Sequence, residues 1–235
     1  MQDRTNPTFN SAINSAITST RKTKLHAMDV VTISVRCPKC AVKFNSRQLA
    51  GNPETNNRDS ELRAQYGDTT QTVESFAICT CPRCGKSDWV QTFPLADEAA
   101  VLDQPNMTPH LQFRAAALDA EKNGAEFYNI GTFYLYAAWC ADDIAAQPQA
   151  REYRKLAAES FSKALLNISL PAEEQATVAY LIGELFRRSG DFERCRQHYN
   201  QVIAKLPVNY AYMARKLIKL AALGNMDSIR FEAIG

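Results

Sequence analysis

Histidine is scarce in this chain, and the familiar catalytic motifs are missing from it. The three histidines are His26, His110 and His198. No Ser-His-Asp order, P-loop or G-x-G-x-x-G motif is present. The paired carboxylates Asp142–Asp143 and Glu173–Glu174 are sequence neighbours, which point in different directions on a helix. We therefore predict no catalytic residues and no enzymatic activity.

Long apolar runs are also missing. No stretch reaches the roughly 18–20 apolar residues that cross a bilayer, and residues 1–28 lack the continuous apolar core of a secretory signal. We predict a cytoplasmic protein with no membrane partner. Residues 1–28 are predicted to be a disordered tail. Their basic, Ser-rich composition leaves open a targeting segment, and Met28 is an alternative start.

An excess of charge is the third absence. The formal net charge is +2 and the isoelectric point is about 8.1. Residues 29–95 hold eight Lys or Arg against seven Asp or Glu, a net of +1. Nucleic-acid binding depends largely on neutralising phosphates with basic side chains. The sequence therefore argues against a nucleic-acid partner.

The chain does have two C-P-x-C turns, at residues 37–40 and 81–84. Each turn presents two thiolates on one side of a tight loop, and two turns complete a tetrahedral cage of four sulfurs. Such a cage leaves no open position for water or substrate, which is typical of a structural site. The predicted metal ligands are Cys37, Cys40, Cys81 and Cys84.

Zinc is the predicted metal, with iron as the alternative. Rubredoxin-type turns carry Gly after the second Cys of both pairs, whereas here Gly85 follows one pair and Ala41 the other. Seven cysteines, an odd number, predict a reducing compartment rather than a disulfide framework. Cys79 lies two residues before Cys81, so it either competes as a ligand or packs nearby.

Strand patterns flank both turns. The β-branched stretch 30–35 predicts a strand that enters the first turn, and Val42 and Phe44 alternate as in a returning strand. Residues 76–78 and 89–93 are the equivalent strands of the second turn. This is the plan of a zinc ribbon or a rubredoxin-like fold. The stretch between the turns predicts an insertion over the small sheet, with a short helical segment at 58–65.

The predicted fold class is α+β and multi-domain, with a small β zinc-ribbon-like domain followed by an all-α array. The predicted divisions are the tail 1–28, the four-cysteine domain 29–93, a linker 94–110 with one helical turn at 97–102, and a helical domain 111–235. On the first helix, Leu111, Ala115 and Leu118 share a face. Gln147-Pro148 is predicted to break the chain between the second and third helices. The later helices are predicted at 125–141, 152–166, 172–188, 192–205 and 210–223.

The fourth and fifth helices fit a tetratricopeptide repeat (TPR) at its diagnostic offsets. The matching residues are Ala179, Ile182, Gly183, Phe186, Cys195, Tyr199 and Pro207. Cys195 is predicted to fill the small slot opposite Gly183. An earlier, irregular unit matches at Phe127, Ile130, Gly131, Tyr134, Ala157, Phe161 and Ala164. A plain helical bundle with chance matches is the alternative.

A TPR-type array lines its concave surface with the first helix of each pair. On this array that face is predicted to expose four partner-binding residues, Tyr180, Glu184, Arg187 and Arg188. Their mixed charge suits a polar peptide or a helix terminus. A solvated face with Glu184–Arg188 pairing is the alternative.

The segments 180–192 and 58–61, together with Tyr66, resemble a family of uncharacterised bacterial proteins in which a four-cysteine ribbon-like domain precedes TPR-like helices. The resemblance covers about residues 28–223. It implies this architecture and no activity. The leading prediction is thus a non-enzymatic adaptor that binds another protein and carries structural zinc. The alternatives are a rubredoxin-like electron carrier with iron and a nucleic-acid-binding zinc ribbon.

Overall fold

A computed structural model describes residues 29–51, 55, 57–66, 73–166 and 170–232 of the chain. The predicted disordered tail at 1–28 lies outside the described residues, as does part of the stretch between the two cysteine turns. The described residues form two β-hairpins followed by six α-helices. The predicted α+β class with a C-terminal helical array is confirmed.

The first hairpin pairs β1 (Val30–Arg36) with β2 (Lys43–Leu49) in antiparallel register, so that Val35 lies opposite Phe44. Both of these side chains are fully buried. The alternating, β-branched sequence of β1 places Val31, Ile33 and Val35 on one face, as a half-buried strand requires. The prediction for this hairpin is confirmed.

The second hairpin is shorter than predicted. It pairs β3 (Ile78–Thr80) with β4 (Ser87–Trp89). Residues 73–76 before it and 90–92 after it are 3₁₀ turns rather than strand. Here tertiary packing overrides the β propensity of the flanking apolar residues, because Val90 and Phe93 turn into the small core with Phe44.

The predicted linker runs along the first hairpin. The N–H of Arg36 donates to the carbonyl of Pro94, and the N–H of Asn45 donates to the carbonyl of Leu102. The predicted helical turn at 97–102 is wrong, because this backbone pairs with the strands instead of with itself. The division into domains at these positions stays a prediction.

Six helices follow the hairpins, and each one contacts the next along the chain. They are α1 (Pro109–Lys122), α2 (Phe127–Asp143), α3 (Gln147–Leu165), α4 (Ala172–Arg188), α5 (Phe192–Val202) and α6 (Val208–Ala222). Pro148 does not break the chain as predicted. It lies in the first turn of α3, where backbone N–H groups have no acceptor within the helix. The missing N–H of proline therefore costs no helical hydrogen bond there.

The buried face of α1 differs from the predicted one. Phe113, Ala116 and Ala117 are buried, whereas Leu111 and Leu118 are 41% and 43% exposed. Phe113 packs edge-on against Trp89 of β4, with 5.5 Å between the ring centroids. This contact fixes which side of α1 turns inward, and it joins the second hairpin to the helices.

Two close helix approaches recur in the array. An added Cβ on Gly131 of α2 would lie 2.6 Å from the ring of Phe161 on α3, and one on Gly183 of α4 would overlap the ring of Tyr199 on α5. Glycine permits both approaches because it has no side chain. The ring nearest to Gly183 is thus that of Tyr199, and the placement of Cys195 in the slot opposite Gly183 stays a prediction. No helix in the described part of the chain is long and apolar enough to span a membrane.

Candidate functional site

The two cysteine turns meet in space. The Sγ atoms of Cys37 and Cys84 are 3.6 Å apart, as are those of Cys40 and Cys81. All four Sγ atoms lie within 4.8 Å of one another. The predicted convergence of the four thiols from two distant hairpin tips is confirmed.

These separations fit a metal cage. Four sulfurs at about 2.3 Å from a tetrahedral Zn²⁺ would be about 3.8 Å apart. A disulfide would need about 2.05 Å, so the cysteines are free thiols. The residues present could therefore hold one metal ion through four sulfurs, and such an ion would be closed to water.

The two turns have the same backbone hydrogen bonds. In each, the N–H of the first Cys donates to the carbonyl five residues on, and that Cys carbonyl accepts from the N–H four residues on. The four bonds measure 2.9–3.0 Å and join Cys37 to Val42, Ala41 to Cys37, Cys81 to Lys86, and Gly85 to Cys81. The repeated geometry explains why the thiols of both turns point to one centre.

The residue after each turn has left-handed backbone geometry. Ala41 has φ of 61° and Gly85 has φ of 71°. Glycine adopts this conformation without steric cost, whereas alanine does not. The alanine thus occupies the same conformation as the glycine of the other turn.

The thiols of the cluster differ in their pKa values. The N–H of Val42 lowers the pKa of Cys40 to about 7, and burial raises the pKa of Cys81 to about 12. A cation at their centre would favour the thiolate form of all four, since metal ligation requires deprotonated sulfur.

Cys79 lies outside this cluster. It is fully buried in the small core with Val35 and Phe44, and burial raises the pKa of its thiol to about 12. Of the two roles left open by the sequence, packing near the cage is the one this position fits.

The predicted partner-binding residues are not exposed. Tyr180, Glu184 and Arg187 are fully buried, and the Arg188 side chain is 11% exposed. The prediction that this face of α4 is open to a partner is therefore wrong.

Two extended segments of the chain itself cover that face. Ser60 donates from Oγ to Glu184 Oε1 at 2.5 Å, and Tyr180 donates from its hydroxyl to the Ser60 carbonyl at 2.8 Å. Arg187 donates to the carbonyls of Asn225 and Asp227 at 2.7 and 2.8 Å. The loop 57–66, between the cysteine turns, thus seats on the helices together with the C-terminal segment 225–232.

The two segments also pair with each other. The N–H of Ser60 donates to the carbonyl of Ile229, and the N–H of Phe231 donates to that of Arg58. The loop was predicted to lie over the small sheet and to contain a helical segment, and both predictions are wrong. Its backbone bonds go to the C-terminal segment and to its own turn, where Arg58 pairs with Ala64.

A buried ion pair anchors the loop. Glu61 accepts two hydrogen bonds from Arg154 of α3, at 2.6 and 2.7 Å, and both side chains are 1% exposed. Burial alone would raise the pKa of Glu61, but the Arg154 guanidinium outweighs it and lowers this pKa to about 2. Asp142 of α2 accepts from Arg154 and, at 2.8 Å, from Arg188.

A second arginine fixes the far end of the loop. Arg63 donates to Glu74 at 2.9 Å and to Asp143 at 2.7 Å, and its guanidinium lies 5.8 Å from the Trp139 ring centroid. The Glu61–Arg154 and Arg63–Asp143 ion pairs, with the residues around them, form one polar junction between the loop and the helices. Sequence reasoning missed this junction. The available signal was the charge-rich segment 58–61, which the family resemblance singled out. That resemblance did not predict where the segment packs.

Comparison with known proteins adds one match. Residues 110–222 match the model of a family described as "Uncharacterized protein conserved in bacteria (DUF2225)". The matched residues run from α1 to the end of α6, so the helical array is similar to that bacterial family, while the cysteine hairpins lie outside the match. No curated protein and no solved structure matches the chain.

Proposed function

We propose that the protein is a non-enzymatic adaptor in which a structural zinc ion holds the two hairpins together and the helical array binds another protein. The observation that carries the zinc site is the convergence of four Sγ atoms within 4.8 Å. The small core of the hairpins supports a structural role, because little apolar surface is buried there and metal binding contributes on the order of 10 kcal/mol to such folds.

The helical array supports the adaptor role. Its two glycine-under-aromatic approaches, Gly131 with Phe161 and Gly183 with Tyr199, repeat one packing arrangement in two helix pairs. That repetition is what a TPR-like array would have, and stacked helix pairs of this kind commonly present extended binding surfaces. The face first predicted for the partner is filled by the chain's own loop, so we place the partner on the outer helical surface.

Metal content tests the zinc proposal. Protein expressed without added metal should contain about one zinc per chain and be colourless. Replacing Cys37 and Cys84 by Ser should abolish the metal, whereas Cys79→Ser should retain it, because Cys79 lies outside the cluster. Retention of a full metal load after the double replacement would contradict the site.

Crosslinking in cells of the native host tests the adaptor proposal. Exposed lysines on three helices provide attachment points: Lys122 on α1, Lys155 and Lys163 on α3, and Lys219 on α6. We expect reproducible crosslinks from these lysines to one protein. Crosslinks from the hairpins alone would place the binding surface outside the helices. No crosslink to any protein at native abundance would argue against an adaptor of cytoplasmic proteins.

Iron in the same cage gives a second candidate function, electron transfer. The matching backbone geometry of the two turns favours it, because both turns have the left-handed residue that rubredoxin-type turns place after the second Cys. Iron-loaded protein would be red and would be reduced reversibly. A colourless protein that gains no activity as an electron carrier on iron loading would exclude this candidate.

The other alternative, a nucleic-acid-binding zinc ribbon, would be excluded if the protein shifts no DNA or RNA at low salt.

A further inference from the structure

The outer edge of β2 is only partly paired. Successive residues of an antiparallel strand direct their backbone N–H and C=O groups alternately toward the partner strand and away from it. Asn45 directs both groups away from β1. Its N–H donates to the carbonyl of Leu102 at 2.7 Å, and its carbonyl accepts from the N–H of Gln104 at 3.0 Å. Segment 102–104 thus pairs with this edge in parallel orientation.

The pairing stops one step further along β2. Arg47, two residues after Asn45, also directs its backbone groups away from β1, and neither group has a hydrogen bond among the described residues. The partner segment has left the edge by then, because Pro105 begins a tight turn in which the N–H of Met107 donates to the Pro105 carbonyl at 2.8 Å. An unpaired strand edge is a template for an added strand.

A cavity of about 440 Å³ lies beside Arg47. Its walls come from β1, from β2, from the end of the 3₁₀ turn 73–76, from the segment 103–108 and from the start of α1. Ligand sites of proteins typically enclose about 300–1,000 Å³. The cavity therefore has room for a short stretch of peptide that continues the pairing of segment 102–104 along β2.

A buried amide opens into the same cavity. Gln112 of α1 is 3% exposed and lines the cavity, and its side chain forms no hydrogen bond with any residue that the structure describes. Its amide atoms retain accessible surface, because the unpaired side-chain atoms that are sealed from solvent in this part of the chain belong to other residues. Buried amides normally have partners, so Gln112 offers both a donor and an acceptor to a ligand.

Charge and shape favour an uncharged ligand. Arg47 and Asp103 are the charged residues that line the cavity, one of each sign. Asp103 accepts from Asn45 Nδ2 at 3.1 Å, and the Arg47 guanidinium lies 5.7 Å from the ring centroid of Phe76. Phe76 and Met107 add apolar surface to the walls. The cavity thus suits backbone amides with an apolar side chain better than it suits an ion.

We propose that this cavity binds an extended, uncharged peptide segment of another protein, which pairs with the edge of β2 at Arg47. The N–H and carbonyl of Arg47 bond to the peptide backbone, the Gln112 amide bonds to a second peptide group, and an apolar side chain of the peptide packs on Phe76. In such strand addition the main-chain hydrogen bonds supply affinity and the side-chain pockets supply specificity. The site is separate from the metal cage and from the outer helical surface, so the proposal does not depend on either.

Nuclear magnetic resonance on the full, metal-loaded chain tests the proposal. The probe is the capped tetrapeptide acetyl-Val-Thr-Val-Thr-amide, which is uncharged and rich in residues that favour strands. Its titration should move the side-chain N–H₂ signals of Gln112 and the backbone N–H signal of Arg47 saturably. The same peptide with every backbone nitrogen methylated should move neither, because it cannot donate to a strand edge. Equal shifts with the methylated peptide, or no saturable shift with the unmodified one, would overturn the proposal.

Two substitutions at Arg47 separate the backbone from the side chain. Arg47→Pro removes an N–H that faces away from β1, so the hairpin loses no hydrogen bond, whereas Arg47→Ala keeps this N–H. We expect Arg47→Pro to weaken peptide binding about tenfold or more and Arg47→Ala to change it by less than about twofold. Equal weakening by both would show that the arginine side chain holds the peptide, which contradicts pairing with the strand edge.

Gln112→Leu tests the buried amide and leaves the strands unchanged. Leucine has a similar volume and no hydrogen bond is lost, so the melting temperature should not fall, but peptide binding should weaken about tenfold. The matched control is Gln201→Leu on α5, an exposed amide that does not line the cavity. Unchanged binding by the Gln112→Leu variant, or equal weakening by the control, would overturn the proposal.

Discussion

Ala41 and Gly85 occupy equivalent left-handed positions after the two cysteine turns, and they give a matched pair of substitutions. Ala41→Gly should stabilise the metal-loaded protein by about 1 kcal/mol, because it removes the steric cost of an alanine at φ of 61°. Gly85→Ala should destabilise it by about the same amount, since nothing lies within 4 Å of the added Cβ and only the backbone is strained. Urea unfolding with zinc present measures both. The same sign for both substitutions would show that the two turns are not equivalent.

At Gly183 an added side chain would destabilise the protein through its volume, rather than through backbone strain. Gly183→Ala forces the new methyl group into the Tyr199 ring and should destabilise the protein by about 1–3 kcal/mol. Combining it with Tyr199→Leu should recover part of this loss, because the ring is the obstacle. Thermal unfolding of the single and double variants provides the comparison. Simple additivity of the two changes would mean that helix approach here is not limited by the ring.

Asp59 gives the polar junction a pH dependence. Burial, with the neighbouring charge of Glu61, raises the pKa of Asp59 to about 7. The folded state then binds this proton more tightly than the unfolded state, so the contribution of Asp59 to stability is present at low pH and is lost as pH rises through about 4 to 7. Glu61 acts in the opposite sense. Its lowered pKa gives stability above about pH 4.5 that is lost as pH falls toward 2.

Asp59→Asn isolates the first of these effects. The amide oxygen still accepts from the N–H groups of Glu61 and Arg63, but the charge is gone. Relative to wild type, the free energy of unfolding should rise by about 1–3 kcal/mol between pH 5 and pH 8. Guanidinium titrations at the two pH values test this. A difference that does not change with pH would show that Asp59 is ionised throughout.

At the scale of elements, the loop 57–66 depends on its buried ion pair. Glu61→Gln leaves the Arg154 guanidinium with a reduced counterion and should destabilise the protein by about 3 kcal/mol. Replacing Arg154 by Met as well should restore part of the loss, because the unpaired charge is then removed.

The exposed pair Arg194–Glu159 is the control for this prediction. Its side chains are 45% and 50% exposed, so Glu159→Gln should change stability by less than about 0.5 kcal/mol. Chemical unfolding of the three variants separates the cases. Similar effects at the two sites would mean that the loop is seated by packing alone.

For the whole molecule, removal of the metal should act unevenly. The hairpin core is separate from the helical core, which has its own larger set of buried side chains. After chelation, amides of β1 and β2 should exchange with solvent at least about tenfold faster, whereas those of α4 and α5 should be unaffected. Hydrogen-exchange mass spectrometry resolves the two regions. Equal loss of protection in both would show that one cooperative unit spans the chain.

The sequence predicts what depends on local pattern. The cysteine turns, β1, and the bounds of α4 follow from spacing, β-branched residues and turn signals, which act over a few residues. The position of Glu61 against the helices cannot be predicted in this way, because its partner Arg154 lies 93 positions away and no periodicity connects the two residues. The face of α1 was misassigned for a related reason: Leu111 and Leu118 fit the period, but Trp89 selects Phe113.

The pairing of the loop with segment 225–232 bears on the order in which the protein is completed. That segment is synthesised after the cysteine turns and all six helices. Until it arrives, Arg187 lacks the carbonyls of Asn225 and Asp227, and Ser60 lacks that of Ile229. A chain cut short before Asn225 would therefore expose the buried polar groups that segment 225–232 pairs with, which would make it a better substrate for cellular proteases.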